Sequence, residues 1–263
     1  MPLPRVTLLF IASLALGCAR HGPLPPRLTG AEVTPGVHGI LALPGTPGPH
    51  PAVVILHGSF GWRPGYAQVA RDFADSGYVA LAVNYYAETG SRIRTGDEER
   101  IWHAWQATVA NAVTYLSGRP EVSGRPIALI GYSRGAFLAT SVAATLPAVG
   151  AVVDYYGGGS DGDALRPEPP PFPPLLILHG DADKDVSVTL AHRLYSRIHA
   201  AGGEVEMYIY PGAGHSFNAP WAGTYAPDEA ADAWRRTIEF LRRRLEGAGA
   251  GAATVSSQQE RTP

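Results

Sequence analysis

From Val37 onward the chain alternates between two hydrophobic patterns. Short, nearly unbroken apolar runs at Val37 to Leu43, Ala52 to Leu56, Tyr78 to Val83 and Ile127 to Ile130 predict strands, as do Val149 to Asp154, Leu175 to His179 and Val205 to Tyr210. Between them, apolar residues recur every three or four positions, which predicts helices over Tyr66 to Ser76, Ala136 to Leu146, Thr189 to Ala201 and Asp228 to Leu245. The longest helical signal is Asp97 to Leu116. There Ile101, Trp105, Val109, Ala112 and Leu116 share one face, and Asp97, Glu98 and Glu99 sit at the end where the helix dipole favours negative charge. Strands alternating with helices build a mostly parallel sheet flanked by helices on both faces, so the fold class is α/β over one domain, residues 37–246. Residues 247–263 lack apolar periodicity and are expected to be a disordered tail.

The first residues carry a different pattern. Arg5 precedes an apolar run, Val6 to Leu16, that is too short to span a bilayer, and Leu14-Ala15-Leu16-Gly17-Cys18 follows. Residues 1–18 resemble a bacterial lipoprotein signal, which implies cleavage before Cys18 and a lipid on that cysteine. Ala15 stands where that family usually has Leu, and an ordinary secretory signal cleaved nearby is the alternative. Both readings imply export to the cell envelope or beyond. Residues 19–36, with Pro23, Pro25, Pro26 and Pro35, are expected to form an extended tether.

Composition narrows the chemistry. Lys and Arg total 21 against 23 Asp and Glu, a net charge of -2, which gives no electrostatic reason to expect nucleic acid as a partner. A small or neutral substrate fits better. Cys18 is the single cysteine, so the folded domain holds no disulfide, cysteine-ligated metal or cysteine nucleophile. No H-E-x-x-H or other compact ligand spacing occurs, so no metal site is expected.

The strongest motif is Gly131-Tyr132-Ser133-Arg134-Gly135, a G-x-S-x-G pattern between a strand and a helix. A serine hydroxyl is a weak nucleophile unless a turn exposes it beside a base and beside donors for the oxyanion. The Arg134 N–H sits where such a donor is wanted. His57-Gly58-Ser59, His179-Gly180-Asp181-Ala182-Asp183 and Gly214-His215-Ser216 follow other strands, at the sheet edge where functional groups gather. His215, in a glycine-rich loop, is the expected base, while His57 and His179 are expected to order their own loops. Ser133, Asp183 and His215 stand in the chain order of nucleophile, acid and base in α/β-hydrolases, and Asp154, one strand earlier, is the rival acid.

Taken together, these motifs resemble the dienelactone hydrolase family, within the α/β-hydrolase fold, over about residues 37 to 246. The likeness rests on Leu56-His57-Gly58-Ser59-Phe60-Gly61, Asp75-Ser76-Gly77-Tyr78-Val79-Ala80-Leu81, the Gly131 to Gly135 turn, His179-Gly180-x-x-Asp183-x-x-Val186 and Gly214-His215-Ser216-Phe217. It implies an eight-stranded sheet or a variant of it, an oxyanion hole from the N–H groups of Ser59 and Arg134, Asp183 as the acid, and cofactor-free hydrolysis of esters or lactones. The founding members use a cysteine nucleophile and a glutamate in the first loop; here those places hold Ser133 and Gly58. The expected activity is therefore a carboxylic ester hydrolase with a serine nucleophile. A prolyl-oligopeptidase-like peptidase, or a non-catalytic binding protein on a hydrolase scaffold, are the alternatives.

Phe60, Trp62, Tyr85, Tyr86, Trp221 and Tyr225 fall in or beside the same loops and are candidates to line a substrate pocket. Gly157 to Pro174 reads either as a flap or as an irregular connection, and Arg92 and Arg94 either as carboxylate contacts or as solvated loop residues.

Overall fold

The apolar runs form the strands of one sheet because helices cover both of its faces. The computed structural model describes residues 27–90, 96–122, 124–159 and 172–246. The signal-like segment with Cys18, residues 19–26, Arg92, Arg94, most of the connection from Gly157 to Pro174 and the tail from 247 lie outside the described residues. In chain order the elements are β1 (Arg27–Thr34), β2 (Val37–Leu43), β3 (Ala52–Leu56), α1 (Gly65–Asp75), β4 (Val79–Val83), α2 (Glu98–Ser117) and β5 (Ile127–Tyr132). They continue as α3 (Arg134–Ala143), β6 (Val149–Tyr155), β7 (Leu175–Gly180), α4 (Val188–Ala200), β8 (Val205–Tyr210) and α5 (Pro227–Leu241).

The sheet has eight strands in the order β1-β2-β4-β3-β5-β6-β7-β8. β2 runs antiparallel to β1 and β4, and every other pairing is parallel. Each residue of β3, β4, β5 and β7 is buried. A parallel strand covered on both sides has no solvent face, which is why these segments read as continuous apolar runs. Alternate side chains serve two cores. Val79, Leu81 and Val83 pack with α2, α3 and α4 through Trp105, Leu138 and Leu194. Tyr78, Ala80 and Ala82 pack with α1 and α5 through Phe73, Ala233 and Phe240.

One expectation needs correction. Part of the predicted tether is strand: Arg27–Thr34 pairs with β2 from Arg27↔Leu43 to Thr34↔Val37. Pro35 belongs to the hairpin turn, where its fixed φ is useful and Gly36 supplies the positive φ of 75°. Its neighbours Pro23, Pro25 and Pro26 precede the strand. β1 is an edge strand, bonded on one side only, so its sequence carries little of the apolar signal that marks the central strands. Among the described residues no helix is long and apolar enough to cross a membrane.

Trp105 shows how much one helix position carries. It is fully buried in the α2 core, and its Nε1–H donates to Thr89 Oγ1 at 2.7 Å. Trp105→Ala is expected to cost about 3–5 kcal/mol of stability, from lost burial and the cavity left behind. Urea unfolding of the two proteins measures this directly, and a loss below about 1 kcal/mol would contradict the packing described.

Candidate active site

Ser133 lies in the turn between β5 and α3, with φ 55° and ψ -120°. Few non-glycine residues adopt positive φ, and this one is held there by its neighbours. A Cβ on Gly131 would lie 2.3 Å from Ala136 Cα, and one on Gly135 would lie 2.3 Å from the Leu56 carbonyl oxygen. Both glycines are thus required for α3 to start this close to the ends of β5 and β3. The Ser133 N–H donates to the Tyr155 carbonyl at 2.9 Å, which fixes the turn against β6.

His215 and Asp183 meet this serine from the loops after β8 and β7. His215 Nδ1 is 2.7 Å from Asp183 Oδ2, and His215 Nε2 is 3.0 Å from Ser133 Oγ. An ionised carboxylate only accepts, so Nδ1 carries the hydrogen and Nε2 is free to accept the serine proton. Close approach of the two loops again needs a glycine: a Cβ on Gly180 would lie 2.1 Å from the Ala213 carbonyl oxygen. Asp181 Oδ1 accepts the Gly212 N–H at 2.6 Å, tying the loops a second time.

The Asp183 carboxylate is saturated with donors. Oδ1 accepts the N–H groups of Asp185 and Val186, each at 2.9 Å, and Oδ2 lies 3.3 Å from His179 Nε2 as well as beside His215. Burial alone would raise this carboxyl, but the hydrogen bonds from His179, His215 and the two N–H groups outweigh it and hold Asp183 well below the usual carboxylate range. Asp154, the rival acid, is fully buried elsewhere in the same layer. Its Oδ1 accepts the Gly157 N–H at 2.7 Å, and burial pushes its carboxyl up to about 6, against the opposing pull of His179 and the nearby N–H groups.

Ser59 lines the cleft with Ser133, and Arg134 directly follows that serine. Arg134 is the first residue of α3, where an N–H has no partner within the helix. Neither N–H makes a hydrogen bond among the described residues. His57 orders the first loop, as expected: its Nδ1 bonds the Gly58 carbonyl at 2.9 Å, its ring stacks on Tyr85 at 4.0 Å, and burial lowers it to about 4, so it is neutral. Tyr85 donates to the His57 carbonyl at 2.8 Å, and Arg134 Nη1 donates to the Tyr86 hydroxyl at 2.8 Å.

A cleft of about 430 Å³ opens beside Ser133 and His215, between the N-terminal halves of α1 and α5. Phe60 and Trp221 stand at its mouth, 81% and 49% exposed. The other aromatic candidates do not line it. Tyr85 and Tyr86 are buried around His57 beneath the first loop, Trp62 stacks behind Tyr66, and Tyr225 lies outside. The inner wall comes instead from Tyr66, Tyr132, Tyr156, Asn218 and Trp234. Tyr156 immediately follows β6 and could have been found by the strand-end rule used for the serine and histidine loops; Tyr66 and Trp234 sit on helices, whose facing a motif does not reveal. Among the described residues no His, Cys, Asp or Glu side chains are grouped to hold a metal ion.

A doubly wound, mostly parallel sheet whose strand ends carry a serine turn and a histidine loop is the architecture of an α/β-hydrolase. Residues 37–245 match the model of the dienelactone hydrolase family, and the chain belongs to that family and is a hydrolase. It is 30% identical over 217 residues to a Methylorubrum extorquens protein named "Putative carboxymethylenebutenolidase", a match covering 76% of this chain and 75% of the other. Among solved structures, a dienelactone hydrolase-like promiscuous phosphotriesterase from metagenomic libraries superimposes with a TM-score of 0.71 at 23% identity, covering 85% of this chain and 100% of that one. A dienelactone hydrolase from Anabaena variabilis gives 0.64 at 20% identity, covering 84% and 100%. At those identities the two structures speak for the fold.

The depressed carboxyl has a consequence for stability. In the unfolded chain Asp183 titrates near about 3.9, above its folded value, so the ionised group stabilises the fold at neutral pH, and this contribution is lost as pH falls through the folded value. Asp183→Asn should remove that loss: from about pH 5 down to about pH 2, wild-type unfolding free energy should fall more steeply than the variant's. Urea titrations at stepped pH would test it, and parallel curves would show that Asp183 is not held below its ordinary range.

Proposed function

We propose that this hydrolase cleaves carboxylic esters or lactones through an acyl-serine intermediate. The observation that carries the reading is the unbroken series Asp183, His215, Ser133, linked at 2.7 Å and 3.0 Å beside the cleft. His215 takes the Ser133 proton as the hydroxyl attacks the acyl carbon, and Asp183 stabilises the imidazolium that forms. The N–H groups of Ser59 and Arg134 hold the developing oxyanion. Protonated His215 then gives its proton to the leaving alcohol, and water, activated by the same base, releases the acid.

Gly58 separates this site from the founding members of the family, which place glutamate there. A Cβ at position 58 would lie 3.4 Å from Ser133 Cβ, so a longer side chain would start directly against the nucleophile. With glycine the serine stands uncovered and needs no substrate charge to release it. Small uncharged esters such as p-nitrophenyl acetate are therefore the proposed substrates. We also propose export, with Cys18 carrying a lipid, on the strength of the Val6 to Cys18 pattern.

Ser133→Ala and His215→Ala should each lower kcat on p-nitrophenyl acetate by roughly four orders of magnitude or more, and Asp183→Asn by about two to four, with folding retained by circular dichroism. Asp154→Asn should stay within about tenfold of wild type, because its carboxylate serves the Gly157 turn. A fluorophosphonate probe should label wild type and spare Ser133→Ala. An inactive Asp154→Asn beside an active Asp183→Asn would reassign the acid.

Cell fractionation tests the anchor. Wild type is expected in the membrane fraction and Cys18→Ala in the soluble fraction or as unprocessed precursor. Soluble wild-type protein with an N-terminus beyond Cys18 would point to the ordinary secretory signal.

A further inference from the structure

Tyr66, in the first turn of α1, has a hydroxyl hydrogen that neither the fold nor the proposed mechanism yet uses. The residue is 8% exposed and lines the cleft together with Ser59 and Ser133. Its ring is fixed among His57, Trp62, Tyr132 and Trp221, at centroid distances of 6.0, 6.0, 5.9 and 6.1 Å. Trp221 reaches it by crossing the start of α1, where a Cβ on Gly65 would lie 2.2 Å from the indole. The phenol oxygen accepts the Gly58 N–H at 3.1 Å. Gly58 is the residue that abuts Ser133, and its carbonyl carbon is bonded to the Ser59 nitrogen.

That arrangement decides what the phenol can do. Its oxygen already receives a hydrogen from Gly58, so its own hydrogen must point elsewhere, and it finds no acceptor among the described residues. The new acceptor that catalysis creates beside Ser59 and Ser133 is the carbonyl oxygen of the substrate as it gains negative charge. We infer that Tyr66 is a catalytic residue: its O–H is a third donor to the oxyanion, beside the N–H groups of Ser59 and Arg134. The inference rests on the serine-hydrolase reading.

Burial pushes the phenol up to about 12, with the Gly58 N–H and the Arg63 charge pulling the other way, so it stays a protonated donor at neutral pH. As the Ser133 oxygen bonds to the acyl carbon, its proton passes to His215 Nε2 and the carbonyl π pair moves onto the carbonyl oxygen. The three donors hold that pair. When it returns, the bond to the alcohol oxygen breaks and that oxygen takes the proton from His215. Tyr66 keeps its hydrogen throughout. A donor fixed in a packed ring costs no reorganisation during the step, which is what makes such groups effective.

Tyr66→Phe keeps the ring and removes the donor. On p-nitrophenyl acetate it should lower kcat roughly 100-fold with KM changed by less than about threefold, and weaken binding of a trifluoromethyl ketone by a similar factor. Because the variant also releases the Gly58 N–H, a second measurement separates donation from loop support. Fluorotyrosines placed at position 66 make the phenol more acidic, a stronger donor and a weaker acceptor. Donation to the oxyanion predicts that kcat rises with phenol acidity at a pH below its ionisation; a role confined to accepting from Gly58 predicts a flat or falling series. The isosteric series also decides the matter should Tyr66→Phe fail to fold. Wild-type kcat in Tyr66→Phe, or a flat or falling series, overturns the inference alone, whereas an active Ser133→Ala overturns the underlying reading.

Discussion

The distance between helix α3 and the sheet governs this site. The helix starts so close to the ends of β3 and β5 that positions 131 and 135 have no room for a side chain, and Ser133 is turned to positive φ between them. That strain is held by the two hydrophobic cores, since α3 is anchored through Leu138, Ala139 and Val142 and β5 is buried along its whole length. Packing free energy spread over the domain thereby fixes one serine in a conformation it would not choose in an isolated peptide. The first N–H of α3 comes with it, so the turn that exposes the hydroxyl also presents a donor beside it.

The acid loop solves a different problem, how to keep a carboxylate ionised out of water. Four donors converge on Asp183, and two of them are backbone N–H groups of its own loop. The fourth is His179, whose single Nε2–H is shared between the Val186 carbonyl at 3.0 Å and Asp183 Oδ2 at 3.3 Å. A charge so fully hydrogen-bonded is affordable when buried, and it accepts from His215 without swinging. Asp154 shows the contrast: it is more deeply buried, and the N–H groups of Gly157 and Gly158 do not offset that burial, so its carboxyl is raised instead of lowered.

Much of this was legible in the sequence, and the reasons for success and failure are local. The bounds of β3 are visible because residues with solvent on neither face must be apolar, and the buried positions of the partly exposed β2 carry a similar signal. β1 is not, because an edge strand bonded on one side carries no such demand. α3 begins at Arg134, two residues before the expected start, because the strained turn passes straight into the helix. Ser133, Asp183 and His215 can be named because each follows a strand and sits among glycines that leave room for tight loops. The cleft is harder. Tyr85 and Tyr86 lie near the site in sequence yet turn inward to His57, while Tyr66 and Trp234 reach the cleft from helices whose rotation is set by tertiary packing.

The histidine loop does two jobs with one piece of backbone. Residues 216 and 218–221 form part of the cleft wall, immediately after His215. Tyr156 packs its ring edge on His215 at 4.8 Å while donating to Asn218 at 2.8 Å, and the Thr224 hydroxyl donates to the His215 carbonyl. A bound group that pushes on this wall therefore pushes on His215. On the proposed mechanism fit and proton transfer share a mechanical linkage, so discrimination between substrates is expected in the turnover rate as much as in binding, as in an enzyme that reads its substrate's shape while the bond is breaking.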